Sequence, residues 1–539
     1  MNPPAAMTSG ALPPADHGFS RRALLRAAGI GVGALAGVAL TGCTAQSPNS
    51  TGSTAGGLLK VGMFNPFQNL DPSTAAAGGT TINDYVYERL YRIDPYAAES
   101  TTLPELAVDL PQQIDPTTYR IKLRDNVTFH DGSKLTADDV VFTMKRLKDP
   151  ATKSLFARYL VMVKDVKAVS PNEIELSLTS PTTLLADRLV LVSVLSQSAV
   201  SASPDALKLK PVGTGPYQVI SATSGQKAVL QRFAGYTGSR EVNFDSIEVN
   251  IVPDANARIS GLRSKQWSVA EEIPASNYQS LREGSGMKAD AVPSLVSTVI
   301  MFHCGKAPFN DPRVRQAVLY AIDRDSITQS TFFGQAEPAW TGLIRPDDPD
   351  YTASGTVYRY DPARAKQLLS EAGYGAGGIK VDFLLPATSF LASQGPVIEA
   401  NLKDVGFTPN IVPGELTGLY SKVADGSYNM LLERNATSAL GPRDVEFNMR
   451  WLFYGAVPKQ YVYWSGPEQQ AVERQLDQAL AAADDAQRKQ LLGQIQKTVQ
   501  EQVPIGTLHF KKQLTAWSED LQNFRPLSTQ GFNIDGVRA

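Results

Sequence analysis

The spacing of apolar residues changes character several times along the chain, and each change marks an element. Tyr119, Ile121 and Leu123 alternate with Arg120, Lys122 and Arg124, which predicts a half-buried strand, and Phe129-His130-Asp131-Gly132 then predicts a turn. Thr136 followed three residues later by Asp139 predicts a capped helix, with Val140, Met144 and Leu147 along its inner face. Asp311-Pro312 and Asp361-Pro362 each place a capping carboxylate before a proline at the first helical position. Behind them Val314, Ala317, Val318, Ala321 and Ile322, and Ala365, Leu368, Leu369 and Ala372, recur at the helical period, the second run stopping at Gly373. Val472, Leu476, Ala479 and Leu480 predict one late helix, and Leu491, Leu492, Ile495 and Val499 another that closes before Pro504. Strand and helix signals stay mixed from Leu58 onward, without a short repeat, which predicts an α/β or α+β body.

The first 57 residues follow a different pattern. Ser20-Arg21-Arg22 precedes a mild apolar run, rich in Gly and Ala, over residues 27–40. A membrane helix needs about 20 apolar residues, so this run fits the apolar core of an export signal instead. It ends in Leu40-Thr41-Gly42-Cys43, which resembles a lipobox, and the arginine pair resembles a twin-arginine signal. The expectation is a twin-arginine-type lipoprotein signal at 1–42, with Cys43 as the lipid attachment point. A flexible tether at 43–57 follows, rich in Ser, Thr and Gly, with nothing to bury. A body so anchored is expected at the outer face of the cytoplasmic membrane.

Composition narrows the choice of function. The 539 residues carry 51 basic and 53 acidic side chains, a net charge of −2, so no overall basic field exists to attract nucleic acid. Two cysteines and four histidines are too few for a disulfide scaffold or a dedicated zinc module. With Cys43 lipidated, Cys304 stands alone. The chain has no phosphate-cradling Gly-x4-Gly-Lys-Ser/Thr, no Gly-x-Ser-x-Gly elbow, no His-Glu-x-x-His and no Cys-x-x-Cys, and no cofactor or metal is expected. His130 reads as a ring hydrogen-bonded to its own loop, ahead of a catalytic or metal role. His303 and Cys304, as adjacent strand positions, point to opposite faces and read as packing rather than as joint metal ligands.

Four stretches together resemble the family 5 extracellular solute-binding proteins, the oligopeptide-, dipeptide- and nickel-binding components of ABC importers. They are LRDNVTFHDGSKLTADDVVFTMKRL (123–147), PVGTGPYQV (211–219), FNDPRVRQAVLYAIDRDSI (309–327) and YDPARAKQLLSEAGY (360–374), and the paired helices within 468–502 also fit. The resemblance implies an α/β, two-lobed, periplasmic-binding-protein-like fold (type II, large cluster) with a hinge between lobes and an extra subdomain. Residues 58–93, 211–299 and 505–539 would form lobe I, 94–210 the extra subdomain and 300–504 lobe II. It also implies a monomer that binds without making or breaking bonds and delivers a small peptide or peptide-like ligand to ABC permease subunits served by a cytoplasmic ATPase.

In the family's peptide binders an aspartate takes the ligand's ammonium and, in dipeptide binders, an arginine takes its carboxylate. Here the aspartate position falls near Ser438 or Leu440, and the strand at 383–388 is followed by Ser389. A bare ligand terminus in a desolvated cleft costs several kcal/mol. Either Glu433 supplies the acid from its strand, or the ligand is not a short free peptide, as in the nickel and metallophore binders. The candidate ligand-binding residues are Asn65, Phe67, Glu433, Arg434, Asn435, Thr437, Trp451 and Tyr454. A lipoprotein hydrolase using His130 or Glu433 is the reading from a different class.

Overall fold

The computed structural model describes residues 56–75, 78–97, 101–353, 355–375, 378–435 and 444–539. The expected signal, Cys43, nearly all of the tether and Thr437 lie outside the described residues. An eleven-stranded sheet runs through the body. At one end β15 (Phe407–Gly414), β14 (Ile379–Pro386) and β16 (Met430–Asn435) are mutually parallel neighbours in that order. At the other end lie β11 (Val269–Glu271), β1 (Leu58–Met63), β10 (Ser246–Ile251), β9 (Lys227–Arg232) and β8 (Tyr217–Thr223), with β1 parallel to both of its neighbours.

Two long strands join these ends. β12 (Met287–Phe302) pairs antiparallel with β16 through residues 297–302 and with β17 (Ile505–Ser518) along most of its length. β17 in turn pairs with β11 through residues 515–517, and with β13 (Ala336–Pro338) at its middle. The β12 register breaks between Pro293 and Ser297, where a proline without an N–H cannot sustain the ladder. The result is two α/β lobes connected through β12 and β17. Alternation along β16 serves two cores at once: Met430 and Leu432 enter one hydrophobic cluster and Leu431 the other, so both faces of this parallel sheet are covered.

A separate antiparallel sheet, β4 (Gln112–Asp115), β5 (Thr118–Lys122), β7 (Glu173–Leu178) and β6 (Val163–Ser170), packs on the helix Ala137–Lys148 around its own core. The expected strand is β5, with Tyr119 and Ile121 buried between outward Arg120 and Lys122. The helix begins in the expected capping box, Thr136 with Asp139. Beside this sheet β2 (Tyr91–Ile93) and β3 (Thr102–Pro104) form a short ribbon. The helices Pro312–Ala321 and Pro362–Glu371 start where the sequence places them, with Asp311 and Asp361 accepting from Arg313 N–H and Arg364 N–H.

The three histidines among the described residues all have packing roles. His130 Nδ1 accepts from Gly213 N–H at 3.3 Å while Nε2 meets the Gly215 carbonyl at 3.0 Å, so two of the matched stretches dock on each other through a neutral ring. Gly213 and Gly215 are required here, because a Cβ would sit 2.0 Å and 2.5 Å from the carbonyl oxygens of Val86 and Tyr85. His303 lies just past the end of β12, not within a strand, and stacks on Tyr463 at 4.1 Å. His509 is buried with Nε2 on the Arg324 carbonyl. Burial pushes the Cys304 thiol up to about 11. No helix among the described residues is long and apolar enough to cross a membrane.

Candidate functional site

The C-terminal end of β16 carries Glu433, Arg434 and Asn435 opposite Val299, Thr298 and Ser297 of β12. Successive strand residues face opposite sides, so Glu433 and Asn435 share one face and Arg434 takes the other. Glu433 is buried, and its carboxylate accepts from the Tyr420 hydroxyl at 2.9 Å and from Arg434 N–H at 2.8 Å. Burial pushes its carboxyl up from the ordinary value. On the same face Asn435 donates to Asn448 at 3.4 Å.

Arg434 faces a cluster that joins both lobes. Glu272, one residue past β11, pairs with Lys511 of β17 and accepts from Gln530 Nε2 at 3.2 Å. Gln530 Oε1 in turn accepts from Asn65 Nδ2 at 2.6 Å. Lys511 also lies 4.8 Å over the Phe390 ring. Burial pushes the Glu272 carboxyl up, but the Lys511 ammonium, with help from Arg434 and Gln530, outweighs it and holds the group below its ordinary value. Glu272 sits at φ 52°, a left-handed conformation unusual for a glutamate. Its neighbour Glu271 ties in the C-terminal segment by accepting from Gly531 N–H at 2.5 Å and from Phe64 N–H at 3.1 Å.

Gln530 also lines a cavity of about 210 Å³ between the helix Gly78–Val86, β2 and the segments 190–193 and 527–535. Asn83, Arg92, Glu105 and Arg240 supply much of its polar wall, and Phe156 an apolar one. Among the expected residues, Asn65 reaches this cavity through Gln530, and Arg434 reaches the same cluster through Glu272. Glu433, Arg434, Asn435, Trp451 and Tyr454 do not line it.

Phe67 requires a correction. It has no exposed surface and belongs to the core under β1, because its loop turns the ring inward while its carbonyl receives Gly225 N–H. Trp451 and Tyr454 occupy another contact altogether. Asp444 caps the helix Val445–Phe453, and Arg188, from beside the small antiparallel sheet, reaches Asp444 and Glu446 at 2.5 Å each. Tyr159 stacks on Phe447 at 4.0 Å, and Arg158 lies 4.8 Å over Trp451. Tyr454 gives its hydroxyl to Asp477 under the Arg450 guanidinium.

Sequence reasoning missed Glu272, Lys511 and Gln530. Lys511 alone left a signal: a lysine inside the apolar run of β17 needs a buried partner. Among the described residues no group of three or more His, Cys, Asp and Glu converges to hold a metal ion.

Comparison with known proteins places this architecture. The model of the bacterial extracellular solute-binding proteins, family 5 (Middle), matches residues 101–496. The glutathione-binding protein GsiB of Pectobacterium atrosepticum is 29% identical over 320 residues, 59% of this chain and 61% of that protein. GsiB of Escherichia coli K12 is 29% identical over 323 residues, 59% and 62% of the two chains. The chain thus spans about three fifths of the length of the curated relatives it matches. Among solved structures, DppA of Helicobacter pylori in complex with the peptide STSA superposes with a TM-score of 0.79 at 20% identity, covering 90% of this chain and 98% of that one. NikA of Staphylococcus aureus in complex with Ni(L-His)2 superposes at 0.76 and 19% identity, covering 89% and 99%. At such identities the superpositions speak for the fold alone. The family match covers most of the chain, and with the two lobes and their paired connecting strands it assigns this protein to the bacterial extracellular solute-binding proteins of family 5.

Proposed function

We propose that the chain is the extracytoplasmic receptor of an ABC importer and that it carries a peptide or peptide-like solute to permease subunits. The observation that carries this reading is the cluster at the lobe junction, where Arg434 of lobe II faces Glu272, Lys511 and Asn65 of lobe I and where Gln530 leads on to a polar cavity beside the extra subdomain. A binding protein needs such a concave site with a few fixed polar groups and no reactive constellation. The curated relatives are glutathione-binding proteins, which favours a ligand built from amide-linked amino acids. Glu433, with its carboxylate held by Tyr420 and the Arg434 backbone, is the proposed acceptor for a ligand ammonium.

The remaining assignments belong to the same proposal. Lobe I comprises 58–93, 211–299 and 505–539, the extra subdomain 94–210 and lobe II 300–504. Residues 1–42 are removed as a twin-arginine-type signal, and Cys43 carries the lipid that holds a monomeric body at the membrane face. Native mass spectrometry of freshly purified protein, with metal analysis of the same sample, tests the ligand reading. A co-purifying organic mass of peptide composition without metal is expected. Stoichiometric nickel would replace the peptide reading with the metallophore one, and a ligand consumed on incubation would replace both with a hydrolase.

A further inference from the structure

The subdomain built on the small antiparallel sheet touches both lobes, and the two contacts are made differently. In the chain it lies between β1 and β8, which stand at the same end of the large sheet, so the backbone joins it to lobe I twice. Side chains reinforce that junction. Arg146, on the helix Ala137–Lys148, pairs with Asp71 at 2.6 Å and donates to Ser73 Oγ at 2.6 Å, and Arg124 pairs with Glu88 at 2.9 Å. The His130 ring adds its bonds to Gly213 and Gly215. The contact with lobe II is non-covalent. Arg188, without exposed surface, lies between the Asp444 and Glu446 carboxylates at the start of the helix Val445–Phe453. Tyr159 stacks on Phe447 at 4.0 Å and gives its hydroxyl to the Phe447 carbonyl at 3.2 Å, and Arg158 covers the Trp451 ring. Phe447 and Leu480 of lobe II thereby complete the subdomain's own core.

Two lobes connected through β12 and β17 can swing about those strands. While it stands, the contact on Val445–Phe453 removes that freedom, because it ties lobe I to lobe II a third time, through the subdomain. Its chemistry also lets it part. The attraction within a buried ion pair is largely offset by the desolvation of its members, and separation returns Arg188, Asp444 and Glu446 to water together. The Tyr159–Phe447 stack tips the balance toward the engaged state, since parting it hydrates apolar surface. We propose that the Arg158–Tyr159–Arg188 face is a clasp that holds the cleft shut, and that opening the cleft requires Arg188 to leave Asp444 and Glu446. The helix it grips is joined to the end of β16 by the Asn435–Asn448 bond, so the strand that carries Glu433 moves with the gripped helix. The clasp rests on the receptor reading above for its purpose, but its mechanical claim is checked without any ligand.

The test uses the full chain freed of co-purifying solute. Small-angle X-ray scattering reads the separation of the lobes, and hydrogen exchange with mass spectrometry reads the contact itself. Arg188→Gln is expected to enlarge the radius of gyration and to speed amide exchange in residues 445–453 about ten-fold, while β7 and the helix Ala137–Lys148 exchange at the parent rate. Arg188→Lys, which keeps the charge, is expected to retain part of the parent's compactness. Arg158→Ala, which removes only the cation over Trp451, is expected to shift both readings the same way by less. Faster exchange in 445–453 at an unchanged radius of gyration overturns the clasp, because the contact then parts without freeing the lobes. No change in either reading overturns it as well. Should exchange in β7 rise in Arg188→Gln, that variant has lost its fold and Arg158→Ala decides, an unchanged radius of gyration there overturning the clasp. In each of these failures the receptor reading stands, since the co-purifying mass tests it separately.

Discussion

Two buried charge clusters lie between the parts of this molecule, and they are built on opposite plans. Around Arg188 the charges form a chain: Asp444 and Glu446 each take one arm of its guanidinium at 2.5 Å, and Glu446 also pairs with Arg450. Burial alone would lower the basicity of Arg188, but the two carboxylates outweigh it and raise it. Around Glu272 the accounts do not balance. Arg188 also has one buried nitrogen without a partner, its Nε, but two carboxylates hold its other nitrogens. Arg434, by contrast, makes no ion pair among the described residues, its Nη1 is buried without a partner, and Glu433 behind it is pushed toward its neutral form. The first arrangement is what fastening requires, since removing any member strands another charge. The second leaves a group free to respond to an arriving ligand, which is why the binding reading attaches to this cluster and not to the one around Arg188.

Mutations can separate the two plans. The largest effect is expected from Arg188→Met, which leaves Asp444 without its guanidinium and Glu446 with Arg450 alone; unfolding by denaturant should show a loss of about 3–5 kcal/mol. A loss below 1 kcal/mol would mean that this cluster fastens nothing. Lys511→Met is expected to cost less, about 2–3 kcal/mol, because Arg434 and Gln530 remain near Glu272. Should it cost as much as Arg188→Met, the contrast between the clusters disappears.

Glu433→Gln addresses the binding role. Once a peptide ligand is in hand, its affinity should fall by about 1–3 kcal/mol, the scale of a charge-assisted hydrogen bond, in calorimetric titration. Unchanged affinity removes Glu433 from the site. The smallest effect is on pH dependence, where Glu433 and Glu272 have opposite signs. Glu433 has a raised folded-state value, so its contribution is fully present below the unfolded carboxyl range and fades as pH rises through the folded value. Glu272 has a lowered value, so its contribution is present above the unfolded range and fades as pH falls. Melting curves of Glu433→Gln and Glu272→Gln across the carboxyl range should therefore diverge from the parent in opposite directions. Shifts of the same sign would show that one of the two environments has been misassigned.

What the sequence revealed follows from the distance over which each feature is determined. Thr136 with Asp139, Asp311-Pro312 and Asp361-Pro362 act within one turn, and the helices begin there. The packing role of His130 was legible but its partners were not: the ring bonds Gly213 and Gly215 of a second stretch rather than its own loop. The site was less legible. Glu272 meets Lys511 across 239 positions, and Arg188 meets Glu446 across 258, with no local pattern at either end. Phe67 and Trp451 look alike in sequence, aromatic residues beside polar ones. Only packing separates the ring buried under β1 from the ring wedged against Arg158.

The lobe that begins at Leu58 is finished by the far end of the chain. β11 needs β17 as its neighbour, Tyr85 stacks on Phe532 at 5.6 Å, and Asn65 meets Gln530 465 positions later. A ribosome making this protein therefore exposes β1 and the helix Gly78–Val86 long before their partners exist. Such late pairing is slow and leaves apolar edges open. The first lobe synthesised is consequently the last that can close, and a chain cut after Gln502 loses β17 and Phe532 together, the former shared by both lobes.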